Sequence, residues 1–236
     1  MLNFLCIGAQ KSATSWLHAT LSRHPSIAFP GGKEVHYWDA QLAKGQDWYQ
    51  AQFADDSRCN GDITPAYAVL PVDVIRQVHA LFPSLPLIYL MRNPLERAWS
   101  AARMALLRAE MRYQEASDQW FIDHFRSAGS LARGDYAQCL ENWFSVYPRE
   151  RFLIARYEAV FREPVAFANQ VLAHIGLQPC FTEADRGTLS KPVFEGPGYA
   201  LRPALREVLL ELYADRIDAL GRLLGGDFST WKDIQP

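Results

Sequence analysis

The stretch IGAQKSATSWL, residues 7–17, sets a glycine three residues before a lysine and follows that lysine with small or hydroxylated residues. Apolar Phe4 to Ile7 lead into it, and a helical pattern leads out. A strand, a tight turn and a helix start make an anion cradle, because the first N–H groups of a helix lack partners and its dipole is positive there. Gly8 permits a close turn, Lys11 adds a mobile positive charge, Ser12, Thr14 and Ser15 add hydroxyl donors, and Ala13 keeps the wall low. Phosphate or sulfate is the ligand such a turn suits. A second pattern, LMRNPLERAWSAAR, sets Arg92 at the carboxyl end of an apolar run and opens a helix at Pro94. Ser100 follows two turns on, so a charged fork and a hydroxyl can grip one dianion. Arg97 reads either as a further partner in that site or as half of a surface ion pair with Glu96. Two anion cradles, each at a strand-to-helix turn, imply one nucleotide with phosphate groups at both ends of its ribose.

A Walker A loop is the competing reading. It needs G-x-x-x-x-G-K-[ST], whereas Gln10 stands before Lys11 here. Phosphoryl transfer also calls for a carboxylate that holds magnesium at a strand end. The clearest strand, PLIYLMR, ends in arginine, and Asp62 of GDIT lies on a shorter one. A P-loop-like kinase and a non-catalytic nucleotide-binding module remain the alternatives at this point.

The elements that must position these residues alternate between strand-like and helical runs. NFLCIG, SIAF, CNGDITPAY (a short strand running into a Pro turn), PLIYLMR and RFLIARYE read as strands, each followed by a helical segment. Helices are expected over 115–128 and 135–147, irregular chain over 178–201, and a last amphipathic helix from Arg202. The fold class is α/β: a P-loop-like parallel sheet flanked by helices on both faces, as a single domain over 1–236. With 236 residues and 49% of them hydrophobic, the chain has ample material for a core. Its net charge of −2 gives no overall pull toward nucleic acid or an anionic membrane, so any anion site is local. The four cysteines form no C-x-x-C pair, which fits a reducing compartment and excludes a zinc ribbon. No run approaches the roughly 18 apolar residues of a membrane span, and the short apolar start has no basic region before it. The expectation is a cytoplasmic protein without a signal peptide. Tyr37 and Trp38 read as core before a stacking platform for an acceptor, Trp99 as core, and Tyr136 and Trp143 as core first and active-site wall second; Arg103, Arg108 and Arg112 read as a solvated helix face that a polyanionic acceptor would use.

Taken together, these motifs resemble the sulfotransferases that use 3'-phosphoadenosine 5'-phosphosulfate (PAPS), above all the heparan-sulfate-type and related bacterial carbohydrate enzymes. IGAQKSATSWL resembles the family's 5'-phosphosulfate loop, with core K-[ST]-G-T-[ST]. RNPLERAWS resembles its 3'-phosphate motif, R-[ND]-P-x-x-R-x-x-S, and KEVHYWD resembles K-E-x-H-[FY]-[FW]. KGQDWY, TPAY, GDYAQCLENWFSVYP and LLGGDFSTW recur there in similar order. The resemblance implies that Lys11, Ser12, Ala13, Thr14 and Ser15 hold the 5'-phosphosulfate, and that Arg92 and Ser100 hold the 3'-phosphate. It implies Glu34 as catalytic base, with His36 as its rival or its orienter, and Lys11 beside the bridging oxygen that gains charge. Phe194, Gly196, Gly198 and Tyr199 are expected to close over the nucleotide. No metal is required, the co-product is adenosine 3',5'-bisphosphate (PAP), and the acceptor is a hydroxyl of a carbohydrate or small metabolite. If 33–36 is extended, Glu34 and His36 share a face and Lys33 points away. Three positions depart from the pattern. Ala13 replaces a glycine, so the loop must do without positive φ there or adjust. Ile63 stands where lysine is frequent, and the late loop lacks both the disulfide and the K-G-R of the Golgi enzymes.

Overall fold

Parallel strands joined by helices need long apolar runs, because such a sheet is covered on both faces. The first strand, β1 (Leu2–Gly8), meets this demand: every residue but Asn3 is buried. The fold was obtained as a computed structural model, which describes residues 1–54, 57–191, 193 and 198–233. After β1 come α1 (Thr14–Leu21), β2 (Ile27–Ala28), α2 (Tyr37–Ala40), α3 (Gln46–Ala51), β3 (Cys59–Ile63), α4 (Val72–Leu81) and β4 (Leu87–Met91). Then follow α5 (Pro94–Arg108), α6 (Asp118–Arg126), α7 (Ala128–Gly134), α8 (Tyr136–Phe144) and β5 (Phe152–Arg156). The chain closes with α9 (Tyr157–Arg162), α10 (Pro164–His174), α11 (Arg186–Leu189) and α12 (Pro203–Leu224). All five strands are parallel, in the order β2-β3-β1-β4-β5. The strand and helix alternation read from the sequence is therefore the observed one.

The described chain divides into two compact units, Met1–Met91 with Asn142–Phe194, and Arg92–Glu141 with Glu195–Pro236. The first carries the sheet. On one face Phe4 and Cys6 of β1 and Ile88 and Leu90 of β4 pack with Trp16, Leu17 and Leu21 of α1 and Val171 and Leu172 of α10. The alternate residues Leu5, Ile7, Leu87 and Tyr89 are equally buried, and β1 meets the 3-10 turn Pro65–Val69. Long polar tethers fix the outer segments: Trp16 Nε1 donates to Leu189 O at 2.6 Å and Trp143 Nε1 to Tyr67 O at 3.1 Å. Trp143 is thus core, as its type suggested.

The second unit is helical. Asn93 caps α5 by accepting from Leu95 N–H at 3.0 Å, with Pro94 in the first turn. The same side chain donates to Trp231 O at 2.8 Å and so ties the C-terminal turn to the start of α5. Two helices were expected across this stretch, but three form. Ser127 ends α6 and caps α7 in one residue, its hydroxyl accepting from Ser130 N–H at 3.3 Å. The span 178–201, expected to be irregular, also contains helix. A reciprocal capping box between Thr182 and Asp185 starts a 3-10 turn that runs into α11.

Candidate active site

The turn between β1 and α1 is built on backbone conformation. Gly8 has φ +151, and a Cβ there would lie 3.0 Å from both Pro65 O and Ala68 Cβ. Lys11 and Ala13 are left-handed, at φ 70 and φ 68. Ala13 is the residue before α1, yet it supplies no side-chain cap to the first-turn N–H groups. The loop therefore keeps the positive φ that glycine would favour and bears the alanine penalty, roughly 1–2 kcal/mol. Ser12 is fully buried and its Oγ has no hydrogen-bond partner among the described residues. Thr14 is buried, Lys11 and Ser15 are half-exposed, and the first turn of α1 holds no acid. An uncapped helix start, a lysine and a buried unsatisfied hydroxyl, with no carboxylate among them, fit a bound anion.

Residues 33–39 are built on charge. The extended conformation expected at 33–36 is not found: Glu34 and His36 are left-handed, at φ 66 and φ 55. They still come together, with His36 Nε2 3.3 Å from Glu34 Oε2. Lys33 does not point away. Its Nζ donates to Glu34 Oε1, which corrects the reading of Lys33 as a lone surface charge. His36 Nδ1 lies 2.9 Å from Asp39 Oδ2, because α2 begins at Tyr37 and brings residue 39 back over residue 36. Burial pushes the Glu34 pKa up, but the hydrogen bond and charge of Lys33, then those of His36, outweigh it and leave it below the ordinary range. Burial pushes His36 down, but Asp39 and then Glu34 outweigh that and raise it. The result is a chain of alternating charge, Lys33–Glu34–His36–Asp39, with an ionised carboxylate that remains partly exposed. Asp39 was not singled out from the sequence. The only hint was Asp39 three residues after His36, the spacing at which a helix start brings two side chains together.

Tyr37 and Trp38 are 2% and 1% exposed and pack on Tyr49, the Tyr37–Tyr49 pair stacked at 4.8 Å. They are core, not an open platform. Asp62, set aside above as a poor magnesium ligand, is fully buried. Its carboxylate accepts from Tyr49 Oη at 2.9 Å and Thr64 Oγ1 at 2.6 Å, so its oxygens are taken.

In the second unit, Arg92 is partly buried and forms an ion pair with Glu96, Nη2 to Oε2 at 2.8 Å. Ser100 is partly exposed on the same helix, α5. Tyr136, 2% exposed, donates to the Arg92 carbonyl at 2.7 Å and so fixes the backbone before α5. Arg97 takes neither role expected of it. It is fully buried, and its Nη2 donates to Ser130 O and Oγ, each at 3.1 Å, and reaches Tyr213 Oη at 3.4 Å. Glu96 turns instead to Arg92. Arg103 is half-buried with its guanidinium 5.6 Å from the Trp99 ring, not fully solvated as expected. Tyr199 stacks on Tyr113 at 4.4 Å and accepts from Trp99 Nε1 through its carbonyl at 3.2 Å. Gly198 is exposed. Phe194 and Gly196 lie outside the described residues.

Strands are added to one side of β1 and then to the other, and ligands of such sheets bind where that order reverses. A lysine turn after that central strand marks an α/β protein built to bind a nucleotide or a similar anion. The Sulfotransferase domain family matches residues 3–187, and the chain belongs to that family. Mouse heparan sulfate glucosamine 3-O-sulfotransferase 6 is 28% identical over 184 residues, covering 76% of this chain and 53% of that protein. The human bifunctional heparan sulfate N-deacetylase/N-sulfotransferase 2 is 28% identical over 195 residues, covering 75% and 22% respectively. The chain spans about half the length of the first of these relatives and less of the second. Among solved structures, a sulfotransferase from Alicyclobacillus acidocaldarius superposes with a TM-score of 0.74 at 24% identity, covering 98% of this chain and 99% of that one. Mouse sulfotransferase SULT7A1 complexed with PAP gives 0.63 at 16%, covering 95% and 88%. These likenesses establish the same α/β fold.

Proposed function

We propose that the chain transfers a sulfuryl group from PAPS to a hydroxyl of a carbohydrate or small metabolite. The observation that carries this reading is Glu34, an ionised carboxylate held between Lys33 and a histidine that Asp39 anchors. A bond forms from the acceptor oxygen to sulfur as the bond from sulfur to the 5'-phosphate oxygen breaks. The acceptor's proton passes to Glu34, and negative charge grows on the departing phosphate. Lys11 and the open N–H groups of α1 are suited to that charge, which is larger in the transition state than in the bound donor. Arg92 and Ser100 take the 3'-phosphate, and Arg92 exchanges Glu96 for it. His36, in its protonated form, donates to both Glu34 and Asp39 and keeps the base oriented. The heparan sulfate named in the relatives supports a sugar acceptor. A reducing, cytoplasmic setting belongs to the same proposal, and the four free cysteines support it. No helix among the described residues is long and apolar enough to cross a membrane.

Transfer of labelled sulfate from PAPS to a panel of sugars and small hydroxyl compounds tests the reading, with PAP binding followed by calorimetry. Lys11→Ala and Arg92→Ala are expected to lose PAP affinity, while Glu34→Gln keeps it and loses turnover. Equal affinity of the unaltered protein for PAP and AMP would remove the case for a 3'-phosphate site.

A further inference from the structure

The left-handed conformations at Glu34 and His36 need an explanation. Neither residue is glycine, and each such residue costs of order 1–3 kcal/mol unless its surroundings force the shape. What surrounds them is the end of β3. Glu34 N–H donates to Ile63 O at 3.1 Å. Val35 N–H faces the Asp62 carboxylate and lowers its pKa. His36 N–H faces Thr64 Oγ1 at 3.5 Å, and Tyr37 N–H donates to Tyr67 Oη at 2.9 Å. Four successive N–H groups therefore face one strip, residues 62–67.

Asp62 lies at the centre of that strip. It accepts from Thr64 Oγ1 at 2.6 Å and from Tyr49 Oη at 2.9 Å, and the Tyr67 hydroxyl and Val35 N–H also face it and lower its pKa. Two of these hydroxyls, on Thr64 and Tyr67, are the groups that meet the N–H of His36 and Tyr37. A hydroxyl whose proton is committed to a carboxylate turns its lone pairs elsewhere, here toward the backbone of the segment above. One buried carboxylate thus faces the segment directly at Val35 and sets the donor direction of the Thr64 hydroxyl, with the Tyr67 hydroxyl beside it, so the groups that meet His36 and Tyr37 both turn on it.

We propose that Asp62 is a positioning residue for the reaction: its carboxylate holds the backbone of residues 35–37 in the strained shape that brings Glu34 to His36. It touches neither donor nor acceptor and acts only through this hydrogen-bond strip. The inference rests on reading Glu34 and His36 as the acid–base pair. An isostere that loses the charge and gains a donor, Asp62→Asn, is mismatched to four incoming donors and loosens the segment.

The test uses the full chain and Asp62→Asn, with Tyr67→Phe and Thr64→Val as variants that each delete one bridging hydroxyl. Four quantities are measured: kcat and KM for the acceptor, PAP affinity, the melting temperature, and the His36 ring titration by proton NMR. The His36 resonance is assigned by its loss in His36→Gln. Asp62→Asn is expected to lower kcat about 10- to 100-fold. PAP affinity should stay within about twofold, and the His36 titration should move down toward the ordinary histidine value. Tyr67→Phe and Thr64→Val should shift both readouts in the same direction by less, and they carry the test if Asp62→Asn does not fold. A lower melting temperature with kcat and the His36 titration unchanged would make Asp62 merely structural and overturn the proposal. Turnover surviving in Glu34→Gln would instead sink the acid–base reading. The His36 titration in Asp62→Asn, which needs no turnover, still decides the positioning role in that case.

Discussion

The turn after β1 and the segment 33–39 share a backbone device and use it in opposite ways. Each places left-handed non-glycine residues two apart, Lys11 and Ala13 in one, Glu34 and His36 in the other. In the turn, the first N–H groups of α1 receive no side-chain cap and no acid lies among them, so the backbone is left open. In the segment, the N–H groups of residues 34–37 are spent on the strip 62–67, and the side chains carry the charge. The same local strain thus makes a binding surface where the backbone is left open and a rigid mount where it is fully used. Catalytic carboxylates need the second arrangement, because a general base must lie within about 2.6–3.2 Å of the proton it takes.

The comparison breaks most readily at its charged members. Glu34→Gln is expected to lower kcat about 100- to 10,000-fold with PAP affinity unchanged. Lys11→Ala is expected to lower kcat about 100- to 1,000-fold and to weaken PAP binding as well. Steady-state kinetics beside calorimetry separates the two, and a kcat effect without a binding effect at Lys11 would dissolve the distinction.

A smaller effect should appear with pH. Glu34 sits below the ordinary carboxyl range, so it stays ionised and brings no acid limb above about pH 5. His36 sits above the ordinary value of about 6.5, so its proton, shared toward Glu34, is present below its raised pKa and lost as pH rises through it. Burial raises Asp62 to about 6, so the profile of kcat/KM should fall on the acid side as Asp62 is protonated, and on the alkaline side as His36 loses its proton. Asp39→Asn removes the partner that raises His36 most, and it should move that fall to lower pH. A profile that Asp39→Asn leaves in place would show that His36 does not hold Glu34 through its charge.

The smallest effect concerns strain in the turn. Ala13→Gly relieves the left-handed penalty but adds freedom to the unfolded chain and removes a methyl packed against the core. Chemical denaturation should show a gain of up to about 1 kcal/mol with PAP affinity retained. A clear loss of stability would mean that Ala13 is not strained.

Much of this was legible from residue types. The strands and helices followed from apolar runs and punctuation, and so did the place of Lys11, Ser12 and Thr14 in the turn between β1 and α1. Cys6, inside the apolar run NFLCIG, is a buried residue of β1, its thiol pushed up by burial to about 12. What failed to show shares a cause. Arg97 resembled a surface helix residue, yet its partners are Ser130 and Tyr213, 33 and 116 residues away. Asp62 resembled a failed metal ligand, yet its donors arrive from three separate stretches of chain. Ser127 hid a helix boundary, because a serine that ends one helix and caps the next has the same local signal as one in a loop.

The order of strands and helices, the position of the β1–α1 turn and the kinship with the sulfotransferases were all set by the chain's own letters. They depend on local periodicity, turn chemistry and motif spacing, which are properties of neighbours in sequence. The partner of each charge was decided only when the chain closed on itself: Lys33 on Glu34, Glu96 on Arg92, Arg97 in the helical interior and Asp62 beneath residues 34–37. A long side chain can reach several partners from one backbone position, and only the packed fold fixes which of them is within hydrogen-bonding distance.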